Sequence, residues 1–315
     1  MSALKRCLSR VADAAENTRA PQRVWILLFV AAWTLYNAIS HLNLAITHDT
    51  AEAYVWGREF QWGYYKHPPF WAWVAGAWFA ALPHNVWAFA ALCAGVSGVG
   101  LLGVWRLYGA LGRMQNRATA IHLSLLTPFY TFFALKYNAN DIFLALWPWT
   151  AFAFVRSLER TALFYAVWFG VLSALCLLSK YYAVLLLGTC LIAAVIHPEK
   201  RTYFSSPRPY ITIGVALLLV APHLYWLVQA GFPSFQYFAE ETGQGSARTV
   251  SQILSLISEV LLWHAPLVFW VIVVGKSDWR SWAPAWRRLS TNATSRTLLC
   301  LAAGPFLLTL LSVLV

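Results

Sequence analysis

The sequence predicts an all-α membrane protein, a bundle whose helices cross the bilayer about nine times. Hydrophobic residues occupy 60% of its 315 positions, charged residues occupy only 11%, and the mean hydropathy is +0.57. A soluble domain has about 25% charged residues. The apolar runs also lack the period-two alternation of barrel strands. Because lipid cannot satisfy exposed backbone polar groups, helices are the expected spanning form.

The individual spans follow from the length of each apolar run. A helix needs about 20 residues to cross a hydrocarbon core of about 30 Å. The runs that we predict to span are 24–45, 86–108, 118–135, 141–156, 161–179, 181–197, 209–230, 252–274 and 297–315. Runs 141–156 and 161–179 are short, which favours tilting or partial burial. A further apolar helix at 70–82 is predicted to lie flat in the interface.

The basic residues set the orientation in the membrane. With the N-terminus in the cytoplasm, all but five of the 23 lysines and arginines fall on the inner side, as the positive-inside rule requires. The protein is therefore predicted to be a multi-pass protein of the inner (plasma) membrane. Its net charge of +11 is spread over the inner loops, so the expected partner is anionic membrane lipid and not nucleic acid.

The chain divides into a basic cytoplasmic tail, residues 1–23, and one membrane domain, residues 24–315. Two outer segments of this domain are long: residues 46–85, the predicted catalytic loop, and residues 231–250. The five cysteines form no CxxC pair. Cys7 lies in the cytoplasmic tail, and the other four are predicted to pack in apolar helices, namely Cys93, Cys176, Cys190 and Cys300. Signatures of soluble nucleotide sites and of common hydrolases are absent from the sequence.

Residues 48–69 concentrate acids, bases and aromatic rings between two apolar runs. Asp49 is predicted to cap a short helix, which places Glu52 on the adjoining turn and directs both carboxylates to one spot. Six of the 12 acids fall on the outer side, namely Asp49, Glu52, Glu59, Asp141, Glu240 and Glu241. Any chemistry is therefore expected outside the cytoplasm.

The outer cations are candidates for binding an anionic ligand. They are Arg58, Lys66, His67, Lys136, Lys180 and Arg248. Lys180 lies in an apolar context, where a charge costs about 2.5 to 3.5 kcal/mol at the bilayer centre. This position indicates either an anionic partner or a side chain that snorkels to the interface. Tryptophans around the loop form an interfacial belt that also suits a lipid-linked substrate.

Four patches between residues 45 and 240 carry a resemblance to a known family. They are Asp49-x-x-Glu52 followed by 63–69 (GYYKHPP), 137–141 (YNAND), 177–181 (LLSKY), and 222–226 (PHLYW) with 231–235 (GFPSF). Together they resemble the polyprenyl-phosphate-sugar-dependent glycosyltransferases of the GT-C fold. This class includes protein O-mannosyltransferases, aminoarabinose transferases and bacterial glycosyltransferase family 39. The second patch lacks a proline common in the family, and His67 stands where aminoarabinose transferases have lysine.

The resemblance implies transfer of a sugar from a polyprenyl phosphate to an acceptor hydroxyl, with inversion at the anomeric carbon. It implies Asp49 as general base, although Asp49 as a simple helix cap stays open. Glu52 would orient the acceptor or raise the pKa of Asp49, and Asp141 belongs to a second acidic motif. The predicted substrate-binding residues are Arg58, Lys66, His67, Tyr137, Lys180, Tyr181 and Arg248. Arg58 and Arg248 are included as outer cations, since they lie in none of the four patches. The acceptor would be lipid A, an envelope glycan or protein serine and threonine.

Three alternatives stay open from the sequence. A divalent metal is one of them, because ligand types are present at His48, Asp49, Glu52, His67 and Asp141. Their spacing matches no standard zinc or EF-hand pattern, so no metal is assigned. A lipid or sugar transporter is the second, although the chain has no repeated halves. The resembled families continue beyond residue 315, so we expect a C-terminally truncated chain; an inactive fragment is the third alternative. His223 and His264 are predicted to be packing residues.

Overall fold

The computed structural model describes residues 22–44, 47–110, 117–242, 247–274 and 293–314, and the regular structure in these ranges is helical, without a β-strand. The first half contains α1 (Gln22–Ser40), α2 (His48–Glu59), α3 (Phe70–Ala81), α4 (Val86–Ala110), α5 (Arg117–Leu126) and α6 (Ile142–Glu159). The second half contains α7 (Leu163–Leu177), α8 (Val184–Ile196), α9 (Lys200–Phe204), α10 (Arg208–Gln229), α11 (Pro233–Thr242), α12 (Ala247–Val274) and α13 (Ala293–Leu314). The predicted all-α class is confirmed for the described residues.

Within the described ranges, three helices are long and apolar enough to cross a membrane. They are Arg23–Ser40, Val86–Ala110 and Arg208–Gln229. Shorter apolar helices include Phe70–Ala81, Leu163–Leu177, Tyr181–Ile196 and Leu299–Thr309. Length and composition therefore support three of the predicted spans, and the number nine stays a prediction.

The predicted span at 118–135 is not a single helix. The α-helix ends at Leu126, and the chain continues as two 3₁₀ turns, Pro128–Tyr130 and Phe133–Leu135. Thr127 is extended, with φ −83° and ψ 138°, as expected for a residue that precedes proline. Hydropathy alone does not detect this break, because the residues on both sides of Pro128 are apolar.

The bundle is built by helices that pack side by side in the order α1, α4, α6, α7, α10, while α8 packs on α13 and α2 packs on α3. Large side chains fill the space between them, and Trp71, Leu101, Tyr137 and Phe154 are almost completely buried. Gly100 lets α4 approach α6 closely, since a Cβ there would clash with the carbonyl oxygen of Leu144. The core therefore depends on small residues at helix crossings.

Replacing Gly100 with alanine should destabilise the protein by about 1–3 kcal/mol, because the added methyl overpacks the α4–α6 contact. Gly95 lies on the same helix, and a Cβ there would meet nothing within 4 Å. Gly95→Ala should therefore be neutral or stabilising, since alanine favours a helix by about 1 kcal/mol over glycine. Thermal unfolding of the purified variants in detergent compares the two, and equal melting temperatures would contradict the close packing.

Short polar contacts join three separate segments at one end of the bundle, which we call the α2 end. The Phe70 N–H donates to the carbonyl oxygen of Leu178 at 2.7 Å. The Tyr137 hydroxyl donates to the carbonyl oxygen of Trp71 at 2.6 Å, and the Thr50 hydroxyl donates to the carbonyl oxygen of Tyr137 at 3.4 Å. These bonds fix the start of α3, the 137–141 segment and the loop after α7 next to α2.

Candidate active site

The first turn of α2 carries the candidate acids. The helix begins at His48 with Thr47 as its N-cap residue, so the prediction that Asp49 is the N-cap is wrong. Asp49 lies inside the first turn, where the free backbone N–H groups and the helix dipole favour a negative charge. Thr47 makes no side-chain capping bond; its hydroxyl lies 2.8 Å from the hydroxyl of Thr50.

Asp49 and Glu52 lie on one face of α2, as the sequence predicts. Together with His48 they present one ligand atom each, all within 4.8 Å of one another. His48 Nδ1 lies 3.6 Å from Glu52 Oε1, although the His48 side chain is 77% exposed. This trio is the part of the described chain where a divalent cation has the most suitable donors, but one of its carboxylates is already paired.

Lys66 forms an ion pair with Glu52. Its Nζ donates to Glu52 Oε1 at 3.0 Å, and the two side chains are only 17% and 12% exposed. Burial lowers the pKa of Lys66, but the hydrogen bond and the charge of Glu52 outweigh it and raise the pKa above the usual value. Lys66 is therefore protonated at neutral pH. Its ammonium also lies 5.7 Å from the ring centroid of Tyr237 in α11.

His67 carries no charge at neutral pH. Burial lowers its pKa to about 4, and the positive charges of Lys180 and Lys66 act in the same direction. The sequence left open whether Lys66 or His67 supplies a positive charge before the two prolines. Because Lys66 is protonated and His67 is neutral at neutral pH, Lys66 supplies this positive charge.

The 137–141 segment approaches the acids of α2 through its asparagines. Asn138 Oδ1 accepts the backbone N–H groups of Asn140 at 2.7 Å and Asp141 at 3.1 Å, which forms an Asx-type turn. The Asn138 amide nitrogen lies 3.5 Å from Asp49 Oδ2, at the limit of a hydrogen bond. Tyr137 is buried in the core, and its hydroxyl is already used by Trp71.

Asp141 precedes the first residue of α6 and is buried, with 8% exposure. Its Oδ2 atom has no hydrogen-bond partner among the described residues. Burial raises its pKa to about 8, Lys136 and the Asn138 contact oppose this shift, and the charge of Asp49 adds to it. At neutral pH this carboxyl group is therefore mainly protonated.

Lys180 lies on the loop between α7 and the 3₁₀ turn Tyr181–Ala183. Its Nζ donates to Asn140 Oδ1 at 2.8 Å. Burial lowers its pKa, and the charge of Asp49 opposes this shift. Lys180 is thus held next to the acids by a neutral amide.

The structure brings six of the predicted site residues into one electrostatic neighbourhood, namely Asp49, Glu52, Lys66, His67, Asp141 and Lys180. Arg58 is exposed and lies 6.0 Å from the Tyr54 ring centroid. It follows Asp49 by nine residues, which is two and a half helical turns, so it points to the opposite face of α2. The Tyr181 hydroxyl is bonded to His223, and the side chain of Arg248 lies outside the described part of the chain.

Sequence reasoning quoted Asn138 and Asn140 within a motif but gave them no role, and it treated His223 as packing. The structure uses both asparagines to connect Asp49, Asp141 and Lys180. The signal available in the sequence was the pair of asparagines within three positions of Asp141, since this pattern is typical of a side-chain-stabilised turn. The contribution of α11 was not visible, because Tyr237 is far from Lys66 in the sequence.

Replacing Asp141 with asparagine should change how stability depends on pH. The folded-state pKa of about 8 exceeds the usual value of 3.8, so folding binds a proton between these values and stability falls as pH rises through them. Asparagine has no proton to lose. We therefore expect the melting temperature of Asp141→Asn, relative to the natural protein, to rise from pH 5 to pH 9, by about 2–4 °C per kcal/mol of ionisation cost. A difference that is constant across this range would contradict the buried, protonated carboxyl group.

The apolar helical bundle with its cluster of acids and lysines at one end defines a membrane protein with a charged candidate site, and sequence comparison identifies the family. Residues 66–226, about half of the chain, match the family described as dolichyl-phosphate-mannose-protein mannosyltransferase. The chain belongs to this family, which has the GT-C fold. The match includes Lys66, Asp141 and Lys180, whereas Asp49 and Glu52 precede it.

One curated relative is the lipopolysaccharide core galacturonosyltransferase RgtB of Rhizobium johnstonii. The two sequences are 28% identical over 252 residues, which is 76% of this chain and 49% of the relative. The chain therefore spans about half the length of this relative. No solved structure matches the chain.

Proposed function

We propose that the protein transfers a sugar from a polyprenyl-phosphate donor to an acceptor hydroxyl on the extracytoplasmic side of the inner membrane. The observation that supports this best is the position of Asp49, which acts electrostatically on both Asp141 and Lys180. A base for the acceptor and a cation for the departing phosphate are the two groups that this reaction requires. Family membership supports the same class of reaction.

The bond changes follow from the chemistry of the donor. The acceptor oxygen attacks the anomeric carbon, and the bond from this carbon to the lipid phosphate breaks. The acceptor proton passes to the base, and the electron pair of the broken bond leaves with the phosphate. Because this is a single displacement, the sugar is inverted at the anomeric carbon.

Asp49 is the carboxylate best suited to be the base. Glu52 is bound by Lys66 at 3.0 Å, and Asp141 is mainly protonated at neutral pH because burial raises its pKa to about 8. Asp49 makes a marginal contact with the Asn138 amide nitrogen at 3.5 Å, and it is the carboxylate that remains for the role of base. The environments thus separate the roles of three neighbouring acids.

Lys180 is the lysine best suited to the phosphate. The charge of Lys66 is offset by its ion pair with Glu52. The hydrogen-bond partner of Lys180 is the neutral amide oxygen of Asn140, which leaves the positive charge of Lys180 available for an anion. In this mechanism Lys66 mainly holds Glu52, which in turn orients the acceptor.

No metal ion is required by this mechanism, since Lys66 already donates to one of the three clustered ligands. Activity that survives EDTA treatment and dialysis would agree with the lysine-based mechanism. Activity that is lost and then restored by a divalent cation would favour a metal at His48, Asp49 and Glu52.

The experiment that tests the function is transfer by the purified protein in nanodiscs, followed by mass spectrometry of the products. Because the curated relative is a lipopolysaccharide core galacturonosyltransferase, a polyprenyl-phosphate galacturonosyl donor with lipopolysaccharide core is the first pair to use. Other lipid-linked sugars, lipid A and serine-containing peptides complete the panel. Absence of transfer from every donor by a folded protein would contradict the proposal.

A further inference from the structure

We propose that His223 is a positioning residue, which holds the loop of Lys66 and the loop of Lys180 in register. His223 lies in α10 and is 1% exposed. Its Nδ1 atom lies 2.7 Å from the carbonyl oxygen of Trp62, and its Nε2 atom lies 2.8 Å from the hydroxyl of Tyr181. Only the kinetic consequence of this inference rests on the proposed function.

The two contacts determine which ring nitrogen carries the proton. A carbonyl oxygen can only accept a hydrogen bond, so Nδ1 must be protonated and donates to Trp62. In the neutral ring Nε2 is then an acceptor, and the Tyr181 hydroxyl is its donor. Both nitrogens are therefore satisfied inside the protein, and neither is available to take a proton from a substrate.

The bonded partners lie close to the two lysines in the sequence. Trp62 precedes Lys66 by four residues, and Tyr181 follows Lys180 immediately. A single side chain of α10 therefore joins segments that are 161 and 42 residues away from it. Loss of either bond lets one lysine loop move relative to the other.

Neighbouring contacts keep this bridge rigid. The Trp226 ring is stacked on His223 with centroids 5.8 Å apart, and it fills the space beside Gly63, where a Cβ would clash with it. From α11, Ser234 donates to the carbonyl oxygen of Tyr64 at 3.1 Å, and Phe235 stacks on Tyr181 at 5.4 Å. The loop of Lys66 and the 3₁₀ turn are thus held from two helices at once.

The kinetic test compares His223→Ala and Tyr181→Phe with the natural protein. Each variant removes the bridge, so the KM for the polyprenyl-phosphate donor should rise up to about tenfold, as for loss of one buried hydrogen bond. The KM for the acceptor should also rise, because the loop of Lys66 holds Glu52, which orients the acceptor in the proposed mechanism. His223→Gln should restore most of the affinity, because a glutamine amide can donate to Trp62 and accept from Tyr181.

A second measurement does not depend on transfer. Lys180 and Lys66 are acylated with an amine-reactive reagent, and their modification rates are followed by mass spectrometry. Both rates should rise several-fold in His223→Ala and in Tyr181→Phe, with no further increase in the double variant. His264→Ala is the matched control, since His264 Nδ1 bonds the Val260 carbonyl oxygen of its own helix and joins neither lysine loop among the described residues. Its lysine rates should equal those of the natural protein.

The outcomes separate this inference from the proposed function. If the natural protein transfers no sugar but the lysine rates rise in the two variants, the function fails and the bridge stands. If the variants fold and their lysine rates and donor KM stay unchanged, the bridge is overturned. Should His223→Ala not fold, Tyr181→Phe decides the question, because it removes a single oxygen atom.

Discussion

Asp49→Asn should lower kcat for sugar transfer by about two to four orders of magnitude, which is the usual contribution of a general base. Asparagine keeps the size of the side chain and its contact with Asn138, but it cannot accept the proton of the acceptor hydroxyl. The KM for the donor should change little. The measurement is steady-state transfer by purified protein with a polyprenyl-phosphate sugar.

The matched control for Asp49 is Glu59→Gln on the same helix. Glu59 lies at the end of α2 and accepts a hydrogen bond from Gln61 at 3.2 Å, so its replacement should leave kcat close to that of the natural protein. Both variants should keep the natural melting temperature to within a few degrees. Turnover near the natural rate in a folded Asp49→Asn variant would refute the assignment of the base.

Lys180→Ala should have the second largest effect. The lysine is half-buried, and its partner is a neutral amide, so in the proposed mechanism its removal takes away the positive charge that binds the departing phosphate. We expect kcat/KM for the donor to fall by about 10- to 150-fold, since loss of a charge-assisted bond costs about 1.5–3 kcal/mol. Competition by sugar-free polyprenyl phosphate measures the same loss in binding.

Lys136→Ala provides the comparison. Lys136 is exposed and lines a separate cavity of about 410 Å³ on the Thr47, Thr50 and Tyr54 side of α2. Its removal takes away the same formal charge from the same end of the protein, but away from the Asn140 contact. Donor use should fall less than threefold. Equal losses in the two variants would argue against a specific role for Lys180 in phosphate binding.

The sequence was sufficient to predict the all-α membrane class. A segment surrounded by lipid must be apolar and must satisfy its backbone hydrogen bonds within a helix, so composition and hydropathy reveal it. It was insufficient to predict where individual helices begin and end. Pro128 interrupts an apolar run without changing its hydropathy, and α2 starts one residue before the predicted cap. The opposite direction of Arg58 was available from helical phase, because nine residues correspond to two and a half turns.

The candidate site was predictable in its residue types and only partly in its pairings. Asp49 and Glu52 meet because they are three residues apart on one helix. The pairing of Lys66 with Glu52, the protonated state of Asp141 and the bridge at His223 depend on burial and on contacts between distant segments. No local sequence pattern contains these contacts, so the sequence predicted which residues form the site but not how they pair.

The backbone bond from Phe70 to Leu178 has a consequence for biogenesis. It joins the first residue of α3 to the end of α7, so the segment of α2 and α3 makes this contact only after residue 178 has left the ribosome. A nascent chain therefore contains Asp49 and Glu52 well before it contains Lys180. The candidate site is therefore complete only once synthesis has passed residue 180.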